Sequence, residues 1–454
     1  MSEETFVLDT HKVRSLIKDR KVIKLRSYLT EMYDADIAQL MDDLNDKVMA
    51  LLLFRMLPKV KAVEVFSYLS IDNQREIISA ISEDELPYLV DNIFFDDVID
   101  MIEEMPAEFV NRVLINIPPE KRKLVNQFLN YHEESAGGLM TIEYVRLNER
   151  MSVKQALDHI RETGLEKETI YTCYITTIHE RLIGIVSLRA LVTEDPDKLI
   201  VDIMERDVIT VNTHDDQEIV ADMFQKYDLM AMPVCDHEGR LTGIITFDDI
   251  MDVMEQEATE DFQIMAAMTP SEEEYLGTSV FVLARHRVVW LLVLLISATF
   301  TGSIMKSFSE TLESLIVLSM FIPMLMDTGG NAGSQSSTLI IRGLATGDIK
   351  LTDALKVLKK EFLISLICGI ILSTFNFARI FIFESQVPMS VAITVSLTLI
   401  TTVMMAKVIG GLLPIAAKKL KLDPAIMAGP LITTIVDAMS LIIYFNIAQA
   451  MLNI

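Results

Sequence analysis

Between Pro323 and Asp348 the chain reads PMLMDTGGNAGSQSSTLIIRGLATGD, a polar passage set inside a hydrophobic stretch. Polar and charged groups are costly in hydrocarbon and persist where they face a partner helix or a water-filled path. On a helical wheel, Asp327, Asn331, Ser334, Gln335, Thr338 and Arg342 fall within roughly a quarter of the circumference. Gly329, Gly330 and Gly333 lie on other faces, where small residues let a second helix come close. One polar stripe beside a small-residue packing surface is the pattern expected of a pore-lining helix.

The passage belongs to a C-terminal half with five expected spans, at 286–306, 313–341, 357–383, 388–416 and 424–453. Each reaches the length of about 20 residues that crosses a bilayer. Arg285, Arg287, Arg342, Lys350, Lys356, Lys359, Lys360, Lys418, Lys419 and Lys421 cluster on one side, and only Lys306 and Arg379 flank the other. The positive-inside rule then makes the N-terminal half cytoplasmic, and an odd number of spans puts the C-terminus outside. The start, MSEETFVLDTHK, has no apolar core, so no cleavable signal peptide is expected. The chain reads as a multi-pass protein of the plasma (inner) membrane. Asp437 lies deep in the fifth span, with Thr433, Thr434, Ser440 and Tyr444 on its side of the wheel. An intramembrane carboxylate is a functional residue by default. Lys407, in the fourth span, is expected to snorkel to the cytosolic side or else to pair with Asp327.

Charge divides the chain sharply. Of its 40 basic and 65 acidic residues, 13 and 9 fall in 285–454, which leaves 27 and 56 for residues 1–284, a net of −29. Residues 1–135 read as all-helical, with apolar residues recurring at three and four in AVEVFSYL (62–69) and FVNRVLINI (109–117). Pro58, Pro87, Pro106 and Pro118 punctuate short helices, expected to stack as a superhelical array. The acidic run Asp96, Asp97, Asp100, Glu103, Glu104 reads as a solvated helix face or as a contributor to cation binding. Cys173, Cys235 and Cys368 show no ligand or redox spacing.

Over 136–256 the pattern changes to strands and helices, twice. RMSVKQALDHIRETG precedes TCYITTIHERLIGIVSLRALV, and HDDQEIVADMFQKYDL precedes AMPVCDHEGRLTGIITFDDIM, each a helix, a hairpin and a further helix. These units, 136–199 and 200–256, resemble a pair of CBS domains. That resemblance implies an adenosine-nucleotide (ATP) site at Gly243, Thr246 and Asp249, where a purely structural turn is the alternative. The first copy has Gly184 and Ser187 but Ala190 in place of the Asp. From Leu241 to Ala284 there is no Lys or Arg, yet ten acids: Asp248, Asp249, Asp252, Glu255, Glu257, Glu260, Asp261, Glu272, Glu273 and Glu274. Carboxylates so spaced repel one another, and divalent ions would draw such surfaces together.

Taken in order, the 323–348 passage, the tandem units, the acidic segment and Asp437 after Gly429–Pro430 make the chain similar to the MgtE family of magnesium channels. The resemblance implies a multidomain homodimer. Its parts are an all-α N-terminal domain (1–135), an α/β CBS pair (136–256), an acidic connecting plug helix (257–284) and a transmembrane domain of five helices (285–454). It further implies a pore on the two-fold axis between the second and fifth spans, with Asp437 as pore carboxylate. Asp327, Asn331, Ser334, Gln335, Thr338, Thr433 and Thr434 then line the path. The family's cytosolic magnesium-sensing acids fall on Asp228, Asp249, Asp252, Glu257, Glu260 and Asp261.

The chemistry agrees, because Mg2+ keeps its waters and is best held by few carboxylates plus hydrogen-bonding groups. The expected function is Mg2+ import gated shut by cytosolic Mg2+, with an ion-coupled carrier of Mg2+, Co2+ or Mn2+ as the nearest rival. A CBS-regulated anion channel would need a basic or donor-rich lining, which Asp437 opposes. An enzyme is not expected, since the seven histidines are scattered and no P-loop or His-Glu-x-x-His is present. Nor is nucleic acid an expected partner. The Gly-Met-Asn tripeptide of the other large magnesium-channel family is absent.

Overall fold

Proline sets where several N-terminal helices begin. Pro58, Pro106 and Pro118 occupy helix N-caps with φ of −58°, −58° and −56°, where the missing N–H breaks no intrahelical bond. Pro87 sits in the first turn of Glu85–Asn92. The computed structural model describes residues 10–44, 46–82, 84–271, 275–276, 278–384 and 386–452. Glu272, Glu273 and Glu274 of the acidic stretch lie outside the described residues. Among the described residues, short helices run from Thr10–Lys18 to Pro119–Phe128 with no strand between them. Each is too short to hold alone in water, so they are stable only by sharing a core. Helix α1 (Phe95–Glu104) shows how, burying Phe95, Val98, Ile99, Met101 and Ile102.

Two three-stranded sheets follow, and they repeat one topology. Strands β1 (Tyr144–Leu147), β2 (Thr169–Thr176) and β3 (Leu182–Ser187) lie in that order, with β1 parallel and β3 antiparallel to β2. Strands β4 (Val211–Asn212), β5 (Ala231–Cys235) and β6 (Leu241–Thr246) pair in the same way. The copies exchange bridges, Thr141 with Ile244 and Ile185 with Glu205. A Cβ on Gly243 would stand 2.7 Å from the Thr141 carbonyl, and one on Gly184 would stand 2.8 Å from the Glu205 carbonyl. The glycine that opens each Gly-x-x-Ser/Thr turn therefore makes room for the other copy's backbone.

Helix α2 (Phe247–Met265) leaves β6 and carries the acids. It ends at Met265, with Ala267 in the left-handed region (φ 53°), so the connecting helix does not run on into the membrane segment as the sequence suggests. The next helices are α3 (Val280–Ser307), α4 (Ile322–Ala345), α5 (Ala354–Phe383), α6 (Met389–Lys419) and α7 (Gly429–Leu452). The chain divides into two compact units, Met1–Met254 and Glu255–Ile454, and α2 passes through the division.

Among the described residues, four helices are long and apolar enough to cross a membrane: α3, α5 with its leading turn, α6 and α7. The expected continuous span over 313–341 is not formed. A short helix (Ser309–Ser314) and a 3-10 stretch (Ile316–Phe321) precede α4, which starts only at Ile322 with proline in its first turn. With 24 residues α4 is long enough to span, and only its polar face keeps it from being an apolar span.

Candidate functional site

Helix α4 shows the two faces its sequence implies. Asp327, Asn331, Gln335, Thr338 and Arg342 are exposed on the single chain and Ser334 is half-buried, whereas Gly329, Gly330 and Gly333 are buried. The packing is closest where Gly410 of α6 faces the backbone of Gly333, leaving no room for a Cβ. Asp327, Thr328, Asn331, Gln335, Cys368 and Lys407 are among the groups lining a cavity of about 340 Å³. On α7, Asp437 is half-buried, and Asp327 lies within electrostatic range of it. Two carboxylates from neighbouring helices thus address one region. The hydroxyls of Thr433 and Thr434 both donate to the Pro430 carbonyl at 2.9 Å, and the Thr433 methyl turns toward Gly330. Ser440 and Tyr444 are fully buried and donate to the carbonyls of Val436 and Leu318. Tyr444 thus ties α7 to the 3-10 stretch before α4, while Ser440 bonds within its own helix, and neither faces a path.

Lys407 neither snorkels nor pairs with Asp327. It is 6 % exposed and sits 12 residues before the end of α6, about 18 Å along the axis. Its Nζ lies 3.5 Å from both Gln335 Oε1 and Ser336 Oγ. Ser336 in turn donates to Glu361 Oε2 at 2.6 Å. Glu361, 7 % exposed on α5, is a residue the sequence reading missed.

A second site lies in the first unit. Carboxylate oxygens of Asp96, Glu143 and Glu168 all lie within 4.8 Å of one another, close to the span of about 4–5 Å across the oxygens of one Mg2+ or Ca2+ shell. Asp96 Oδ1 and Glu168 Oε2 are sealed from solvent without a hydrogen-bond partner. Glu143 Oε2 accepts from the Phe95 N–H at 2.8 Å and from Thr141 Oγ1 at 3.3 Å. Burial, followed by the charge of Asp249, holds the Asp96 carboxyl well above its ordinary range. Burial and the charges of Asp249 and Asp248 push Glu168 up to about 8. Asp249 rises to about 6, mainly through burial, against the lowering effect of the Thr246 hydroxyl that donates to it at 2.6 Å. Asp252 lines a neighbouring cavity of about 260 Å³ with Asp97, Asp100 and Glu104. The run at 96–104 is therefore not simply a solvated face, and Glu143 and Glu168 are contributors that sequence reading missed.

The remaining expected residues are more dispersed. Asp228 closes the helix Gln217–Tyr227 in the left-handed region (φ 51°), a structural task at that turn. Asp249 is engaged by Thr246 and faces the acids of the first unit, so the nucleotide motif and the acidic cluster share one side chain. A cavity of about 650 Å³ is lined by Arg181, Arg206, Asn212 and His237 among others, and by none of Gly243, Thr246 or Asp249. In the second unit, burial and the charge of Asp423 raise the Asp261 carboxyl, with Arg342 opposing. The Met265 carbonyl occupies the space a side chain on Gly429 would need, so the end of α2 sits against the start of α7. Glu257 and Glu260 are half-buried on the same stretch of α2.

A helical first domain, a duplicated α/β module, acidic clusters and a membrane half with carboxylates on packed helices define an ion-handling membrane protein with a regulatory region. Comparison with known proteins agrees. Residues 322–447 match the MgtE family, described as a divalent cation transporter. Residues 32–134 match the MgtE intracellular N domain, and 136–197 and 200–256 each match a CBS domain. The magnesium transporter MgtE of Thermus thermophilus is 38 % identical over 362 residues, covering 79 % of this chain and 80 % of its own. That of Bacillus subtilis is 33 % identical over 358 residues, covering 79 % and 78 %. A crystal structure of the cytosolic domain of the Mg2+ channel MgtE in complex with ATP aligns at 35 % identity and TM-score 0.51, over 54 % of this chain and 99 % of that one. The soluble part of a magnesium transporter aligns at 27 % identity and TM-score 0.51, over 55 % and 98 %. The chain belongs to the MgtE family of magnesium transporters. The matched segments are transport and regulatory domains, and the protein is a multi-pass membrane transporter rather than an enzyme.

Proposed function

We propose that this protein is a magnesium channel that admits Mg2+ through its membrane half and closes when cytosolic Mg2+ fills its acidic sites. The observation that carries the reading is the pairing of Asp437 on α7 with Asp327 on α4, beside a polar stripe that the protein's own chain leaves exposed. A second copy covering that stripe would build the path on a two-fold axis and supply two Asp437 carboxylates, with Asn331, Ser334, Gln335, Thr338, Thr433 and Thr434 nearby to hold retained water. Two carboxylates and several neutral oxygens suit an ion that sheds its waters reluctantly. The acids Asp249, Asp252, Glu257, Glu260 and Asp261 serve as sensors, joined by Asp96, Glu143 and Glu168, while the end of α2 acts as the plug beside Gly429. Asp228 completes the proposed sensor set. In this reading the N-terminal half is cytoplasmic and the C-terminus lies outside. An adenine nucleotide in the CBS pair is supported by the ATP of the solved cytosolic relative, although Gly243, Thr246 and Asp249 here have structural tasks as well.

The test is Mg2+ flux through purified protein in planar bilayers. Wild type should give unitary currents and Asp437→Asn should give none. Flux without unitary events, tied instead to a co-ion, would establish an ion-coupled divalent-cation carrier. Undiminished Mg2+ current through Asp437→Asn would remove that residue from the path.

A further inference from the structure

Three membrane helices each contribute one buried polar residue to a chain that the ion path does not account for. Ser336 of α4, Glu361 of α5 and Lys407 of α6 are 2 %, 7 % and 6 % exposed. The Ser336 hydroxyl has one proton, and it gives that proton to Glu361 Oε2 at 2.6 Å. Its oxygen therefore offers lone pairs to Lys407 Nζ, 3.5 Å away. A hydroxyl so placed matches a carboxylate at one end and an ammonium at the other. Helix α6 makes room for the carboxylate, since a Cβ on Gly411 would come within 3.0 Å of Glu361 Cγ. The same ammonium reaches Gln335 Oε1, also at 3.5 Å, and Gln335 belongs to the exposed polar stripe.

We propose that Lys407, Ser336 and Glu361 form a charge-balancing network behind the ion path, in which the Lys407 ammonium beside the Gln335 amide oxygen sets how strongly that amide attracts a passing cation. The proposal rests on the magnesium-channel reading. Conduction needs a site that attracts the ion yet releases it. Asp327 and Asp437 supply the attraction, and a fixed positive charge one side chain behind Gln335 weakens the hold. Glu361 keeps that charge from becoming a barrier, because an uncompensated buried charge acts strongly in a low-dielectric interior. All three are positioning residues, acting on the ion through Gln335.

The experiment measures Mg2+ flux per reconstituted full-length protein in liposomes for Glu361→Gln, Lys407→Gln, the double variant, and Glu361→Gln with Lys407→Arg. Glu361→Gln, nearly isosteric, should lower flux at least about tenfold, because the uncompensated ammonium behind Gln335 then repels the entering cation. Lys407→Gln, which leaves Glu361 unbalanced, should lower maximal flux and also lower the half-saturating Mg2+ concentration, since the ion is then held more tightly. The double neutral variant should recover to within about threefold of wild type, because no charge is left unbalanced. Glu361→Gln with Lys407→Arg should stay low, as it keeps the buried positive charge without its carboxylate. Wild-type flux in Glu361→Gln, or a double variant no better than Glu361→Gln alone, overturns the network. Wild-type protein that carries no Mg2+ in the same liposomes overturns the channel reading instead, so the two failures are distinct.

Discussion

At the scale of single residues, Gly410 shows how little slack the membrane helices have. Its α-carbon faces the Gly333 backbone, and a methyl group there must move one helix off the other. Overpacking of this kind costs about 1–3 kcal/mol. Gly410→Ala should therefore lower the melting temperature of the detergent-solubilised protein by several degrees. Gly302→Ala is the matched control, because nothing lies within 4 Å of its Cβ position. Equal melting of the two variants would show that the α4–α6 approach is looser than described. The glycine face of α4 was legible in the sequence, since its spacing sets it apart from the polar stripe. Glu361 was not. It follows Lys359 and Lys360 directly and reads as part of a charged flank. Only the phase of α5 turns it inward while both lysines remain exposed. Lys407 was misjudged for a related reason: its distance from the helix end exceeds what its side chain can reach.

At the scale of elements, α1 and the segments leading into β1 and β2 bring together three carboxylates, Asp96, Glu143 and Glu168, that lie far apart in the sequence. The acidic run was read in the sequence as a helix face, but no local pattern could reveal Glu143 and Glu168 as neighbours of α1. The consequence is a pH-dependent stability. Glu168 titrates near 8 and Asp249 near 6 in the folded chain, against about 4 when unfolded. The folded state then binds more protons than the unfolded one, so stability falls as pH rises through the window from about 4 to 8. A divalent cation bound at the proposed site would replace those protons. In Mg2+-free buffer, the N-terminal half of the full-length protein should become more susceptible to proteolysis from pH 5.5 upward to 8, and millimolar Mg2+ should flatten the trend. Glu168→Gln should blunt both effects, because it removes a carboxylate that must otherwise be neutralised. A protection profile indifferent to pH and to Mg2+ would mean that the cluster binds no ion.

At the scale of the whole molecule, the order of domains was readable from charge and hydropathy, because a net of −29 in one part and long apolar stretches in the other are properties of composition. What composition could not show is that one helix, α2, carries Asp249 and Asp252 in the first unit and Glu257, Glu260 and Asp261 in the second. If the proposed sensor acids of α2 bind Mg2+, one helix carries them in both units, and opening can depend on cytosolic Mg2+ without any further device. Shifting a population from 1:99 to 99:1 takes a preference of about 10⁴ between states, which about four ions supply if each favours the closed state about tenfold. Removing the carboxylates should thus do two things at once: raise the internal Mg2+ concentration that half-closes the channel, and flatten the dependence. In inside-out patches, neutralising Asp249, Asp252, Glu257, Glu260 and Asp261 together should leave the channel conducting at millimolar internal Mg2+, where wild type is shut. Neutralising only Asp249 and Asp252 should shift the midpoint less and keep part of the steepness, because Glu257, Glu260 and Asp261 would remain to bind Mg2+. If the fivefold variant closes with wild-type midpoint and slope, the sensing does not pass through α2, and the repulsion among its acids has no part in opening the pore.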